Sequence, residues 1–168
     1  MTDFEAALQA KLARNTELAE QRAAAEVEMD RVKEEQRLAA EREASESRAA
    51  QHARHAELVD HLTRLLGQLK EASSDTFVVR TGWTPSGEEF IAKVSTRQLE
   101  PGRSLFIELD RDDDEVLARW TSDVGNTLEL WHLLEVQPDA LTELVLQVAD
   151  QELWRGRSKP PPFPGFGE

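Results

Sequence analysis

"ASSDTFVVRTGW", Ala72 to Trp83, marks the point at which the chain changes character. Residues 1–75 hold no Pro, no Trp and a single Gly, and are crowded with Ala, Glu, Arg and Leu. Residues 76–168 hold all seven Pro, all four Trp and seven of the eight Gly. A segment without helix breakers and a segment full of turn formers call for different backbones. "TFVVRTGW" already reads as a strand, from its β-branched and aromatic residues. The expected fold class is therefore α+β: a long N-terminal helix (1–73), a small antiparallel sheet of four or five strands packed by one C-terminal helix (76–156), and a proline-rich tail (157–168).

Working back from the joint, Thr2 followed three residues later by Glu5 has the capping-box form and predicts a helix start. No Gly interrupts the chain before Gly67 and no Pro before Pro85. At 1.5 Å per residue, a helix from residue 2 to residue 72 would be roughly 105 Å long. Its apolar stripe needs something to cover it. Leu58, Leu62, Leu65 and Leu69 are spaced 4, 3 and 4, the spacing of a coiled-coil seam, with Val59 and Leu66 beside them. A second seam runs through Phe4, Leu8, Leu18, Ala25, Met29, Val32 and Ala39, with Lys11, Asn15, Arg22 and Gln36 at its polar positions. The expected oligomer seam is Leu58, Leu62, Leu65, Leu69, Met29 and Val32, in a homo-oligomer read as a parallel dimer. Ala39 to Leu58 is 19 residues, not a multiple of seven, so the two seams are out of frame. A fold-back near Ala44–Ser47 is the alternative to one continuous helix.

His55 falls where the leucine seam, extended backwards, places a core position. It is a candidate pH-sensitive seam residue, since an imidazole facing its symmetry mate resists protonation. His52 and His55 could instead share a metal with Asp60, but two or three ligands fall short of a closed site. No metal or cofactor is expected.

Working forward from the joint, "TPSG" (Thr84–Gly87) and "EPGR" (Glu100–Arg103) supply turn chemistry. Between and after them, residues alternate. Phe90, Ala92 and Val94 share one face; so do Leu105, Ile107 and Leu109, and then Val116, Ala118 and Trp120. "TLELWHLLEV" begins as a further strand, although Trp131, Leu133 and Leu134 would also suit a short helix. Pro138 fits the first turn of a last helix, with Leu141, Leu144, Val145 and Val148 as its buried stripe, Leu153 and Trp154 at its end and Gly156 as its stop. In the tail, Pro161 and Pro164 satisfy P-x-x-P, but Ser158 stands where an SH3 ligand wants a basic residue. An extended tail, or a strap along the domain surface through Phe163 and Phe166, is the expectation.

The net charge of -13 divides into -5 before residue 76 and -8 after it. With both parts acidic and no long basic stretch, neither nucleic acid nor an anionic membrane is an expected partner. Cysteine is absent, which removes disulfides, thiol catalysis and thiolate zinc sites. The opening "MTDFEAALQAKL" lacks the form of a secretory signal, and no apolar run approaches about 20 residues, so the expected location is cytoplasmic.

"DRDDDE", Asp110 to Glu115, is the densest charge in the chain. Asp110, Asp112 and Asp114 match the first three ligand positions of a calcium loop. Glu115 stands where that loop needs Gly, and Thr121 where it needs a bidentate Glu. The cluster is therefore read as a hairpin turn facing water, and Asp110, Asp112, Asp113, Asp114 and Glu115 as a candidate partner-binding loop. No phosphate loop, zincin or hydrolase motif occurs, and His132 is the one histidine beyond the joint, so no enzyme is expected. The expected function is a non-enzymatic assembly or adaptor protein that oligomerises through its helix and binds an unidentified protein through its acidic head, with the exposed strand edges and the sheet face opposite the helix as the first places for that partner. The alternatives are an acidic chaperone or regulatory subunit, and a cation-dependent switch or enzyme built on the Asp110–Glu115 loop.

Overall fold

A computed structural model describes residues 2–165. Helix α1 spans Asp3–Ser73. At its start, the Glu5 amide donates to Thr2 Oγ1 at 3.2 Å and the Thr2 amide donates to Glu5 Oε2 at 3.3 Å, the reciprocal bonds of a capping box. Ala44–Ser47 are helical, so the turn considered there is absent. The chain packs as two units, residues 1–47 and 48–168. The first is helix alone, with Arg31 bridging Glu28 and Glu35 and Arg37 bridging Glu34 and Glu41 on its surface.

In the second unit, β1 (Phe77–Trp83), β2 (Glu89–Thr96), β3 (Arg103–Asp110), β4 (Glu115–Ser122) and β5 (Gly125–Trp131) form one antiparallel sheet in sequence order. Residues alternate between faces along each strand, so cross-strand partners share a face. Val94 pairs with Leu105 and Leu105 with Trp120; Phe90 pairs with Leu109 and Leu109 with Val116. One face thus gathers all nine apolar residues of β2, β3 and β4 expected to point together, and all nine are buried. Helix α2 (Pro138–Ala149) lays Leu141, Leu144, Val145 and Val148 on that face.

The last part of α1 lies there too. Leu58 and Leu62 are fully buried and Leu66 nearly so, in one cluster with the sheet, and Leu65 and Leu69 pack at its margin. The leucine stripe expected to meet another chain meets its own sheet instead. A 4-3-4 apolar spacing states only that one helix face is covered; a cover in the same chain avoids the entropy cost of association. Polar contacts fix the seating: Arg54 Nη1 donates to the Val136 carbonyl at 2.7 Å, and His61 Nε2 lies 2.8 Å from Thr142 Oγ1. Of the expected seam, Met29 and Val32 remain exposed.

The single C-terminal helix expected is two. Asp150 leaves the helical region, and its carboxylate accepts from the Leu153 amide at 3.2 Å to start α3 (Gln151–Trp154). The break carries Trp154 into the core, where its Nε1 donates to the Gln147 carbonyl at 2.8 Å. Arg103, buried at the start of β3, lies over the Trp154 ring and donates to the Val148 carbonyl from Nε at 3.0 Å and Nη2 at 2.8 Å. The tail is a strap. Pro160 and Pro161 are buried, and Phe163 stacks on Trp120 and meets Trp131 edge-on. Phe166 lies outside the described residues. Among the described residues no helix is long and apolar enough to cross a membrane.

Removing a side chain from the shared core should loosen the sheet, whereas removing one from the exposed stripe should not. Leu62→Ala is expected to cost about 2–5 kcal/mol. The loss would be read as earlier amide exchange at Leu105, Ile107 and Leu109. Val32→Ala should leave that exchange unchanged.

Candidate functional site

The acidic loop is four residues long, Arg111 to Asp114, between β3 and β4. Asp110, at the end of β3, is buried, and its Oδ1 accepts from the Asp113 amide at 3.0 Å. Asp114 takes a left-handed backbone, φ 52°, which an Asp tolerates better than most residues. Its Oδ1 accepts from the Leu133 amide at 2.9 Å, and Oδ2 lies 3.3 Å from His132 Nδ1. Two of the five loop acids are thus tied to backbone amides. Asp112 and Asp113 are exposed; the Arg111 guanidinium holds Asp112 below the usual carboxylate range, and Asp110 pushes Asp113 up. A calcium loop cannot form here, because β4 begins at Glu115 and removes the later ligand positions into the sheet.

Asp110 and Glu115 are register partners, as are Glu89 and Asp110. Glu108 sits one pleat further along the same face. One oxygen from each of Glu89, Glu108 and Asp110 falls within 4.8 Å of the others. Burial first, and Glu89 beside it, push the Glu108 carboxyl up to about 7. A proton relieves the crowding there, so the trio gives no ground for assigning an ion. Alternation within "SLFIELD" already set Phe106 and Glu108 opposite the core residues, but their nearness to Glu89 depends on strand register.

His55 is not a seam residue. It is buried, and its Nε2 lies 2.8 Å from the Leu109 carbonyl, to which a ring N–H donates. Burial lowers its pKa, against the pull of that carbonyl. His52 is exposed, with Nε2 3.9 Å from Asp112 Oδ1, and Asp60 pairs with Arg64. The three residues considered as metal ligands have separate partners. Beside them, Val59 of α1, Trp83 at the end of β1 and Arg111 of the β3–β4 loop line an open groove of about 470 Å³.

Among the described residues, the helices of this unit pack on the core face, and the opposite face of the sheet bears none. It presents Val78, Ile91, Phe106, Leu117, Leu128 and Leu130, with Leu128 59% and Leu130 50% exposed. Arg119 lies over the Phe106 ring at 4.5 Å from its centroid. The sequence offered the acidic loop, the strand edges and this face for a partner, and this face is the larger mixed surface. The signal was the second set of alternating apolar residues in β3 to β5. No protein-family model, curated protein or solved structure matches the chain.

Glu108 and His55 predict opposite pH responses. A carboxyl near pH 7 when folded, against an ordinary 4.5, favours the folded state at low pH, and that advantage is lost as pH rises from about 4.5 to about 7. Glu108→Gln should therefore raise Tm at pH 8, with the gain shrinking towards pH 5. His55, lowered from 6.5, resists protonation in the fold, so its contribution is lost as pH falls below about 6.5. NMR titration of the His55 ring should give a midpoint below the ordinary 6.5.

Proposed function

We propose that this chain is a non-enzymatic assembly or adaptor protein. It self-associates through the N-terminal stretch of α1 and presents its strand unit to a protein partner. The observation that carries this reading is the unsatisfied stripe on residues 4–39. Phe4 is 74% exposed and Met29 70%, and Leu8 and Val32 are exposed as well. The seam from Phe4 to Ala39 keeps an unbroken 4-3 alternation. With Met29 and Gln36 at a positions and Val32 at d, Lys33 is an e residue and Glu28 a g residue. Those five line one hollow of about 350 Å³. Met29, Val32, Lys33 and Gln36 are the four residues that receive a d-position knob in a parallel coiled coil, here a second Val32. Glu28 of each helix then stands beside Lys33 of the other, and Asn15, at an a position, faces its own copy, a device that fixes register.

With the leucine stripe occupied inside the strand unit, helical self-association rests on this N-terminal seam. Acidic charge on both units favours a protein partner over nucleic acid, and a cytoplasmic location belongs to the same proposal. The half-apolar open face of the sheet also suits the chaperone alternative. An adaptor would hold one defined partner, whereas a chaperone would suppress aggregation of varied clients.

Sedimentation equilibrium of the full chain is expected to give two chains per particle. Met29→Asp with Val32→Asp should give one chain per particle with an unchanged near-ultraviolet spectrum. A wild-type monomer at tens of micromolar would remove the self-association.

A further inference from the structure

The open face of the sheet is laid out in rows. Register aligns Arg80, Lys93, Phe106, Arg119 and Leu128 across the five strands. One pleat along lie Gly82, Ile91, Glu108, Leu117 and Leu130, and one pleat further Glu89, Asp110 and Glu115. A cationic row and an acidic row thus flank a largely apolar one. Arg80 and Lys93 are cross-strand neighbours of like charge, an unfavourable pairing on an exposed face.

We infer that this face docks against the same face of a second copy, about a twofold axis running along the Ile91–Glu108–Leu117 row. That axis keeps strand order and reverses the rows. Lys93 then meets the mate's Glu89, and Arg119 meets the mate's Glu115, each contact occurring twice. Ile91 and Leu117 meet their own copies, as an isologous interface requires. The other in-plane twofold, along β3, would set Lys93 against Arg119 and lacks this complementarity. Five strands at about 4.8 Å spacing and three rows about 7 Å apart make a face of about 500 Å² per copy, so about 1,000 Å² in all, at the lower bound for a specific interface. The docked pair is accordingly weak by itself. It does not depend on helical self-association, although a coil joining two chains would raise the local concentration of heads.

The chain has no cysteine, so single introduced thiols report cleanly. Leu117→Cys, on the axis, is expected to give a covalent dimer with a short bismaleimide, because two packed sheets lie about 10 Å apart, beyond the roughly 7 Å limit of a disulfide but within reach of that linker. Thr121→Cys, two pleats away, should give at least tenfold less. Lys93→Glu or Glu89→Lys in the Leu117→Cys chain should abolish the link, and both together should restore it, because the reversed charges again face each other across the axis. Glu108→Gln, which removes a like-charge meeting on the axis, should lower the concentration for half-maximal linkage about tenfold. The link should persist at raised concentration when Met29→Asp and Val32→Asp disable the helical seam, so failure of the coil is distinguishable from failure of this contact. Equal linkage at 117 and 121, no linkage at 117 in a folded chain, loss of the link in the seam-disabled chain, or no rescue by the double reversal would overturn the inference.

Discussion

The strand unit depends on one contact: the face of α1 bearing His55, Leu58, Leu62 and Leu66 against the apolar face of the sheet. Five strands and a short helix of about 80 residues bury a modest area, and a domain of that size is marginal without further cover. The end of α1 supplies three fully or nearly fully buried leucines at the cost of ordering residues that are already helical. His55 adds direction. Its bond to the Leu109 carbonyl sets the helix at one height along β3, where apolar contact alone would tolerate sliding.

Much of this was legible in the sequence, for a physical reason. Strand alternation and helical spacing both report which side of an element is dry. All nine inward residues of β2, β3 and β4 follow from period two, as do the four of α2 from period 3.6. What covers a dry side is not a local property. Leu58, Leu62, Leu65 and Leu69 have the spacing of a coiled-coil seam and also of any amphipathic helix on a sheet, and only the three-dimensional contact separates the two. His55, read as a polar seam residue, was correctly placed on the buried face and wrongly given its neighbour.

The candidate surface was partly legible. A hairpin tip at Asp110–Glu115 follows from alternation on both flanks, but the roles within it do not. Asp110 and Asp114 serve the turn itself through bonds to amides, and Asp112 and Asp113 remain for other contacts. The rows on the open face are a product of register, which turn geometry and burial fix together. Lys93 and Arg119 are 26 residues apart and share a row only because each hairpin closes where it does.

The order of synthesis gives the leucine stripe a further meaning. Each strand pairs only with its sequence neighbours, so the sheet can zip hairpin by hairpin as a low-contact-order process. The helix that covers it is made first. Leu58, Leu62 and Leu66 are therefore complete, and uncovered, before β3 exists to receive them. During that interval their seam-like spacing can pair with the same stripe on a neighbouring nascent chain. Closure of the sheet withdraws that offer, so in the completed fold the leucine stripe takes no part in contact between chains.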